Sequence, residues 1–166
     1  MSKEENEVQW LFESKLTRLY LVASETGLKS ILWRKQKAPM APSLDGSEPA
    51  VKVLKQAVRE LDEYFAGKRK SFDVRLDLQG TPFQLKVWKA LQQIPYGKTW
   101  SYSELAVRVK QPTAVRAVGA ANGQNPLSII VPCHRVISSG GGLTGYSGGL
   151  GIKAKLLQLE GAPIST

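Results

Sequence analysis

Cys133 and His134 stand side by side and are the only cysteine and the only histidine of the chain. A thiolate is the reactive form of cysteine, and an ordinary thiol holds only a few per cent of it near neutral pH. An imidazole next in sequence is the residue type suited to take that proton, directly or through one water. A histidine acting as base needs an acceptor to orient it, and no Asp or Glu occurs between Glu104 and Glu160. Glu160 is therefore the candidate third member of a Glu160–His134–Cys133 relay. The bland alternative is an inert, buried cysteine. Asn125, eight residues before Cys133, opens an Asn-Pro turn, and a turn-fixing role stands beside a catalytic one. One cysteine excludes an internal disulfide, and one histidine beside it forms no cluster with zinc-ligand spacing. A reduced thiol with neither metal nor cofactor is expected.

The elements that must position the pair follow from the pattern around it. Leu127 to Val131 is a short apolar run of strand type that Pro132 should end, which puts Cys133 just past a strand end. Upstream, Thr81 as N-cap, Pro82 and Gln84 signal a helix with Phe83, Val87, Leu91 and Ile94 along one face. Ser101 and Glu104 suggest a second capping box for a short helix carrying Leu105 and Val109. Thr113 to Asn122 reads as a helix of Ala and Gly, with Arg116 its one charged group and Ala117, Gly119 and Ala121 among its small ones. The two short helices have the shape of a helix-turn-helix. A nearly bare second helix suits either close packing in a core or close approach to DNA. Downstream, the glycine-dense run from Gly140 offers Tyr146 and Ser147 as its substantial polar groups in its second part, either as a mobile loop or as a wall that lets backbone approach a ligand. The last helix, Ile152 to Glu160, is expected to bury Ile152, Leu156 and Leu159. Glu160 then sits in its final turn, where the macrodipole disfavours a carboxylate.

The N-terminal half reads differently. Trp10–Phe12, Leu19–Ala23 and Leu28–Trp33 alternate as strands of a meander. A helix with Val51, Leu54, Val58, Leu61 and Phe65 inward follows, stopped at Gly67. A strand from Phe72 to Leu78 comes next. The change of pattern at Gln79-Gly80 divides the chain into an N-terminal mixed α/β domain, 1–79, and a C-terminal, mostly helical domain, 80–166. The fold class expected is mixed α+β.

The 166 residues carry a formal net charge of +9, which favours an anionic partner, nucleic acid before membrane. The acid-free interval holds Arg108, Lys110, Arg116, Arg135, Lys153 and Lys155. A uniformly positive surface, Arg135 included, is expected there, facing phosphates or standing as a solvated basic face with no ligand. No apolar run is long enough to span a bilayer, and the polar N-terminus does not read as a signal peptide, so a cytoplasmic protein, nuclear in a eukaryote, is expected.

The run PCHRVI, with NP before it and GYSGGL and LEG after it, resembles the O6-alkylguanine-DNA alkyltransferases. The likeness extends back through RAVGAANGQNP, SYSELA and GTPFQLKVWKALQQIPYGKT, covering residues 80 to 161 nearly continuously. The N-terminal half is similar more loosely, through EYFAG and FDVRLDLQGT. The resemblance implies a ribonuclease-H-like N-terminal domain and a winged helix-turn-helix-like C-terminal domain carrying the active site. It implies stoichiometric transfer of an alkyl group from O6-alkylguanine in double-stranded DNA to Cys133, with O4-alkylthymine a further substrate to consider. Lesion recognition without transfer is the alternative. By the same resemblance Glu160 and His134 form the proton relay and Asn125 lies beside the thiol. Tyr102 donates to the departing base and Ser147 contacts O6. Arg116 fills the gap left by a flipped nucleotide, from a helix in the minor groove. A monomer with no cofactor is implied.

Overall fold

The computed structural model describes residues 6–143, 146 and 148–163, and the chain divides into two compact units, Met1–Gln79 and Gly80–Thr166. In the first, β1 (Val8–Glu13), β2 (Arg18–Ala23) and β3 (Leu28–Leu32) form an antiparallel sheet in chain order. The Ser14 hydroxyl closes the first hairpin by accepting from the Leu16 and Thr17 amides at 3.1 and 3.0 Å. Helix α1 (Pro49–Phe65) packs on all three strands. Its Leu54, Ala57, Leu61 and Tyr64 join Leu19, Leu21 and Ile31 in a core closed to solvent. Burial of this one face, rather than helical propensity alone, is what holds such a helix.

The strand expected over Phe72–Leu78 does not form. Glu60, fully buried on α1, accepts the amides of Asp73 and Val74 at 2.9 and 3.1 Å. Those donors are thereby lost to any ladder, and only a single bridge joins Leu76 to Leu28. A buried carboxylate needs such donors, and here it takes them from the neighbouring segment.

The second unit is built from α2 (Pro82–Leu91), β4 (Trp100–Ser101), α3 (Tyr102–Arg108), α4 (Val115–Gly123), a single 3₁₀ turn (Cys133–Arg135), β5 (Val136–Ile137) and α5 (Leu150–Leu159). The box at the start of α2 is complete: Gln84 N–H donates to Thr81 Oγ1 at 3.1 Å and Thr81 N–H to Gln84 Oε1 at 2.9 Å. Val87, Leu91 and Ile94 are buried, and Trp88 Nε1 donates to the Ala121 carbonyl at 2.8 Å, which fastens α2 to α4. Ser101 caps α3 through its hydroxyl, accepting from Glu104 N–H at 3.0 Å. α4 begins at Val115, two residues after the expected Thr113.

β4 and β5 pair in parallel, Trp100 with Val136 and Ser101 with Ile137. The pairing is short but well placed. It fixes the start of α3, and so Tyr102, against the residues that directly follow Cys133–Arg135. Among the described residues, no helix is long and apolar enough to cross a membrane.

Candidate active site

The segment before the cysteine is a tight turn, not the expected strand. Ile129 stands at φ 77, and Val131 N–H donates back to the Leu127 carbonyl at 2.9 Å. A β-branched residue in the left-handed region costs on the order of 1–3 kcal/mol, so something must hold it. Asn125 does so with both ends of its amide: Nδ2 donates to the Val131 carbonyl at 2.7 Å and Oδ1 accepts from Leu127 N–H at 2.9 Å. The turn delivers Cys133, 4% exposed, to the start of the 3₁₀ turn rather than to a strand end.

His134 and Glu160 are both buried, and His134 Nε2 lies 2.7 Å from Glu160 Oε2. Burial alone would raise the Glu160 pKa, but His134 and Arg135 overcome it and hold the carboxyl at about 2. Ionised at neutral pH, Glu160 can only accept, so Nε2 carries the proton in this pair. Burial, with the Arg135 and Lys153 charges, lowers the His134 pKa despite the pull of Glu160, and the ring is neutral. The lone pair then resides on Nδ1, a buried atom with no hydrogen-bond partner among the described residues. Such an atom is costly unless it has work to do. Its lone pair is available to accept a proton.

Cys133 is a neutral thiol at rest. Burial pushes its pKa to about 11, against partial relief from the Asn125 amide and the Lys153 ammonium. On the order of one chain in ten thousand would carry a thiolate near pH 7, given four pH units of separation. A buried, protonated thiol reacts only slowly with passing electrophiles. Activation must accompany the arrival of a substrate. Tyr146 closes this side: burial raises its hydroxyl above the usual range with Cys133 nearby, and its ring meets His134 edge-on at 6.5 Å between centroids.

Two basic residues are not where the charge pattern put them. Arg135, expected at a phosphate-facing surface, is 6% exposed. Its Nε and Nη2 donate to Glu160 at 2.7 and 3.1 Å and its Nη1 to the Ile94 carbonyl at 2.7 Å. A buried guanidinium needs a carboxylate partner, and Glu160 is the one within reach. Lys153 is wholly buried and its Nζ donates to the Val136 carbonyl at 2.6 Å. The inward stripe of α5 is Lys153, Leu156 and Leu157, while Ile152 and Leu159 are only half-buried. Sequence reasoning passed over Lys153. Its signal was there, since Lys153, Leu156, Leu157 and Glu160 share one helical face.

Burial lowers the Lys153 pKa to about 8, with the Cys133 charge acting the other way. Support for the thiolate is therefore present below pH 8 and fades as pH rises through it. Lys153→Met is expected to slow alkylation of Cys133 by iodoacetamide about threefold to tenfold at pH 7.5. It should also steepen the rise of that rate above pH 8, where the wild type has already lost the cation. Equal pH–rate curves for the two proteins would rule this out.

The remaining candidates lie on the helical pair. Arg116 and Ala117 are exposed on α4. Gly119 is half-buried, and a Cβ built there would stand 3.6 Å from Cδ1 of the Tyr102 ring. Tyr102 thus lies directly behind the helix. Ala121, grouped with the small contact residues in the sequence, is turned inward and 2% exposed, its carbonyl held by Trp88. It packs α4 onto α2 and is not on the outer face. Ser147 lies outside the described residues. The expected basic face of the acid-free interval reduces to Arg108, Lys110, Arg116 and Lys155, all exposed, and Arg108 is seated over the Trp100 ring at 4.7 Å.

Two family models match the chain: 6-O-methylguanine DNA methyltransferase, ribonuclease-like domain, over residues 8–78, and 6-O-methylguanine DNA methyltransferase, DNA binding domain, over residues 82–162. A methylated-DNA–protein-cysteine methyltransferase of Methanosarcina barkeri is 49% identical over 150 residues, covering 90% of this chain and 94% of that protein. One of Mycobacterium bovis is 61% identical over 104 residues, 63% of each chain. The crystal structure of Mycobacterium tuberculosis O6-methylguanine methyltransferase superposes with a TM-score of 0.82 at 42% identity, over 96% of both chains. The Mycobacterium tuberculosis OGT structure in complex with DNA gives a TM-score of 0.82 at 44% identity, covering 94% of this chain and 95% of that one.

Proposed function

The chain belongs to the 6-O-methylguanine DNA methyltransferase family, and from that membership we propose that it repairs DNA by moving the alkyl group of an O6-alkylguanine onto its own Cys133. The observation that carries the reading is the buried Glu160–His134 pair, whose Nδ1 has no hydrogen-bond partner among the described residues, on the same 3₁₀ turn as the neutral thiol of Cys133. The Cys133 proton passes to His134 Nδ1, directly or through one water, and Glu160 stabilises the imidazolium that results. The sulfur attacks the alkyl carbon in line with the departing oxygen. An S–C bond forms, the C–O6 bond breaks, and its electron pair stays with the guanine. Tyr102 donates the proton that neutralises the base as it leaves. The product is a thioether, which water does not cleave, so each chain acts once.

The target oxygen faces the major groove of a stacked duplex, and a protein this small encloses it only by extruding the nucleotide, at a cost of a few kcal/mol. Helix α4, bare on its outer side apart from Arg116, suits the minor groove, with Arg116 occupying the vacated stack. One chain suffices for this chemistry, so a monomer is the acting form. The substrate places the protein where DNA is, in the cytoplasm or, in a eukaryote, the nucleus.

Intact-mass spectrometry tests the reaction. After incubation with a duplex containing O6-methylguanine, one CH2 should be gained per chain and map to Cys133. A chain that binds the duplex yet keeps its mass would be a lesion-recognising protein and not a transferase. Arg116→Ala separates extrusion from chemistry: transfer from duplex should fall about tenfold or more, while reaction with free O6-benzylguanine stays near wild type. Equal losses on both substrates would make Arg116 a structural residue.

A further inference from the structure

Arg135 is a member of the buried network with no part in the reaction as written above. It is also the most constrained. Its planar fork meets Glu160 at two points, Nε to Oε1 at 2.7 Å and Nη2 to Oε2 at 3.1 Å, and Nη1 is tied to the Ile94 carbonyl at 2.7 Å. The guanidinium carbon lies 5.6 Å from the centre of the Tyr96 ring, and the Tyr96 hydroxyl donates to the Leu159 carbonyl at 3.3 Å. The residues after α2, the Cys133–Arg135 turn and the end of α5 thus converge on one carboxylate. A two-point grip fixes the plane of a carboxylate as a single lysine contact cannot.

We propose that Arg135 is a positioning residue of the transfer site, which orients Glu160 so that Oε2 meets His134 Nε2 and thereby commits His134 to the tautomer whose Nδ1 is free to take a proton. The inference rests on the reading of His134 as the base for Cys133. The other titratable or charged groups facing the pair are Cys133 and Arg135 from the turn, Lys153 from α5, and Tyr96 and Tyr146. Of these, Arg135 and Lys153 oppose protonation of His134. Loss of the Arg135 charge should therefore let His134 bind a proton more readily.

Because the chain has one histidine, its imidazole nitrogens can be read without ambiguity by ¹H–¹⁵N NMR, with no DNA present. The wild type should show a neutral ring protonated at Nε2 at neutral pH. Arg135→Lys keeps the charge but not the fork, and should give a mixture of tautomers with transfer slowed about tenfold, while equilibrium affinity for the duplex is unchanged. Arg135→Gln removes the charge as well and should move the acidic limb of the transfer rate up by about one pH unit. A wild-type ring protonated at Nδ1 would overturn the proposal even if neither variant folds. So would a folded Arg135→Lys protein with the wild-type tautomer and rate, or one that loses duplex affinity and nothing else. Absence of transfer in the wild type with an Nε2-protonated ring would instead sink the alkyl-transfer reading and leave the positioning role standing.

Discussion

Cys133→Ser is expected to bind a duplex carrying O6-methylguanine within about twofold of wild type and to remove none of its methyl groups. A serine hydroxyl is far less acidic than a thiol and is not made nucleophilic by a single neutral imidazole at this depth. The exchange is nearly isosteric in a site where Cys133 is 4% exposed, and the new hydroxyl has the Asn125 amide beside it, so stability should change by about 1 kcal/mol or less. Methyl groups remaining on the duplex, counted alongside protein mass, give the result. Any transfer above background in the serine protein would place the acceptor elsewhere.

Glu160→Gln should damage both fold and chemistry. An amide cannot accept from Arg135 at both positions and from His134 as well. Its NH₂ would face either the guanidinium or the ring. Arg135 then keeps a buried charge without its counter-charge, a loss of roughly 3–5 kcal/mol in such settings. If the NH₂ turns to His134, Nε2 must accept, the proton moves to Nδ1, and the base is lost. Transfer should fall by about 10²–10⁴-fold, the range in which wrong-tautomer histidines act. The pH dependence of stability gives a second reading. Glu160 has a folded pKa of about 2, well below its ordinary value of 4.5. Its stabilisation is therefore full above pH 4.5 and lost as pH falls through 2. His134, lowered from 6.5 by burial, works in the same direction, since the unfolded chain binds that proton first. The Gln protein should keep the histidine part of this acid sensitivity and lose the glutamate part. A variant with wild-type acid unfolding would contradict the ionised state assigned to Glu160.

The sequence revealed structure where a signal was local. Thr81, Pro82 and Gln84 specify the start of α2 because all the bonding partners lie within four residues. Helix α1 was equally plain from its apolar spacing and Gly67. Leu127–Val131 misled because its apolar, β-branched composition suits a strand, while the bonds that bend it come from the Asn125 side chain and a positive φ at Ile129. Phe72–Leu78 misled for a related reason, since Glu60 takes its amides from another element. At the site, scarcity was the guide. With one cysteine, one histidine and a single acid after Glu104, the pairing of His134 with Glu160 could be reasoned out. Arg135 could not, because charge in a sequence reads as exposure unless its partner is known, and its partner is a carboxylate 25 residues on; Lys153 was passed over for the same reason, although it shares a helical face with Leu156, Leu157 and Glu160.

The burial of those two cations also bears on how tightly the protein can hold the nucleic-acid polyanion. Of nine Lys and Arg side chains in residues 80–166, seven are exposed: Lys86, Lys89, Lys98, Arg108, Lys110, Arg116 and Lys155. Each phosphate neutralised releases condensed counterions and adds roughly 0.9 to the log–log slope of affinity against salt. Binding through this unit is therefore capped at a slope of about six rather than eight. A steeper measured dependence would mean that residues 1–79 also lie along the duplex.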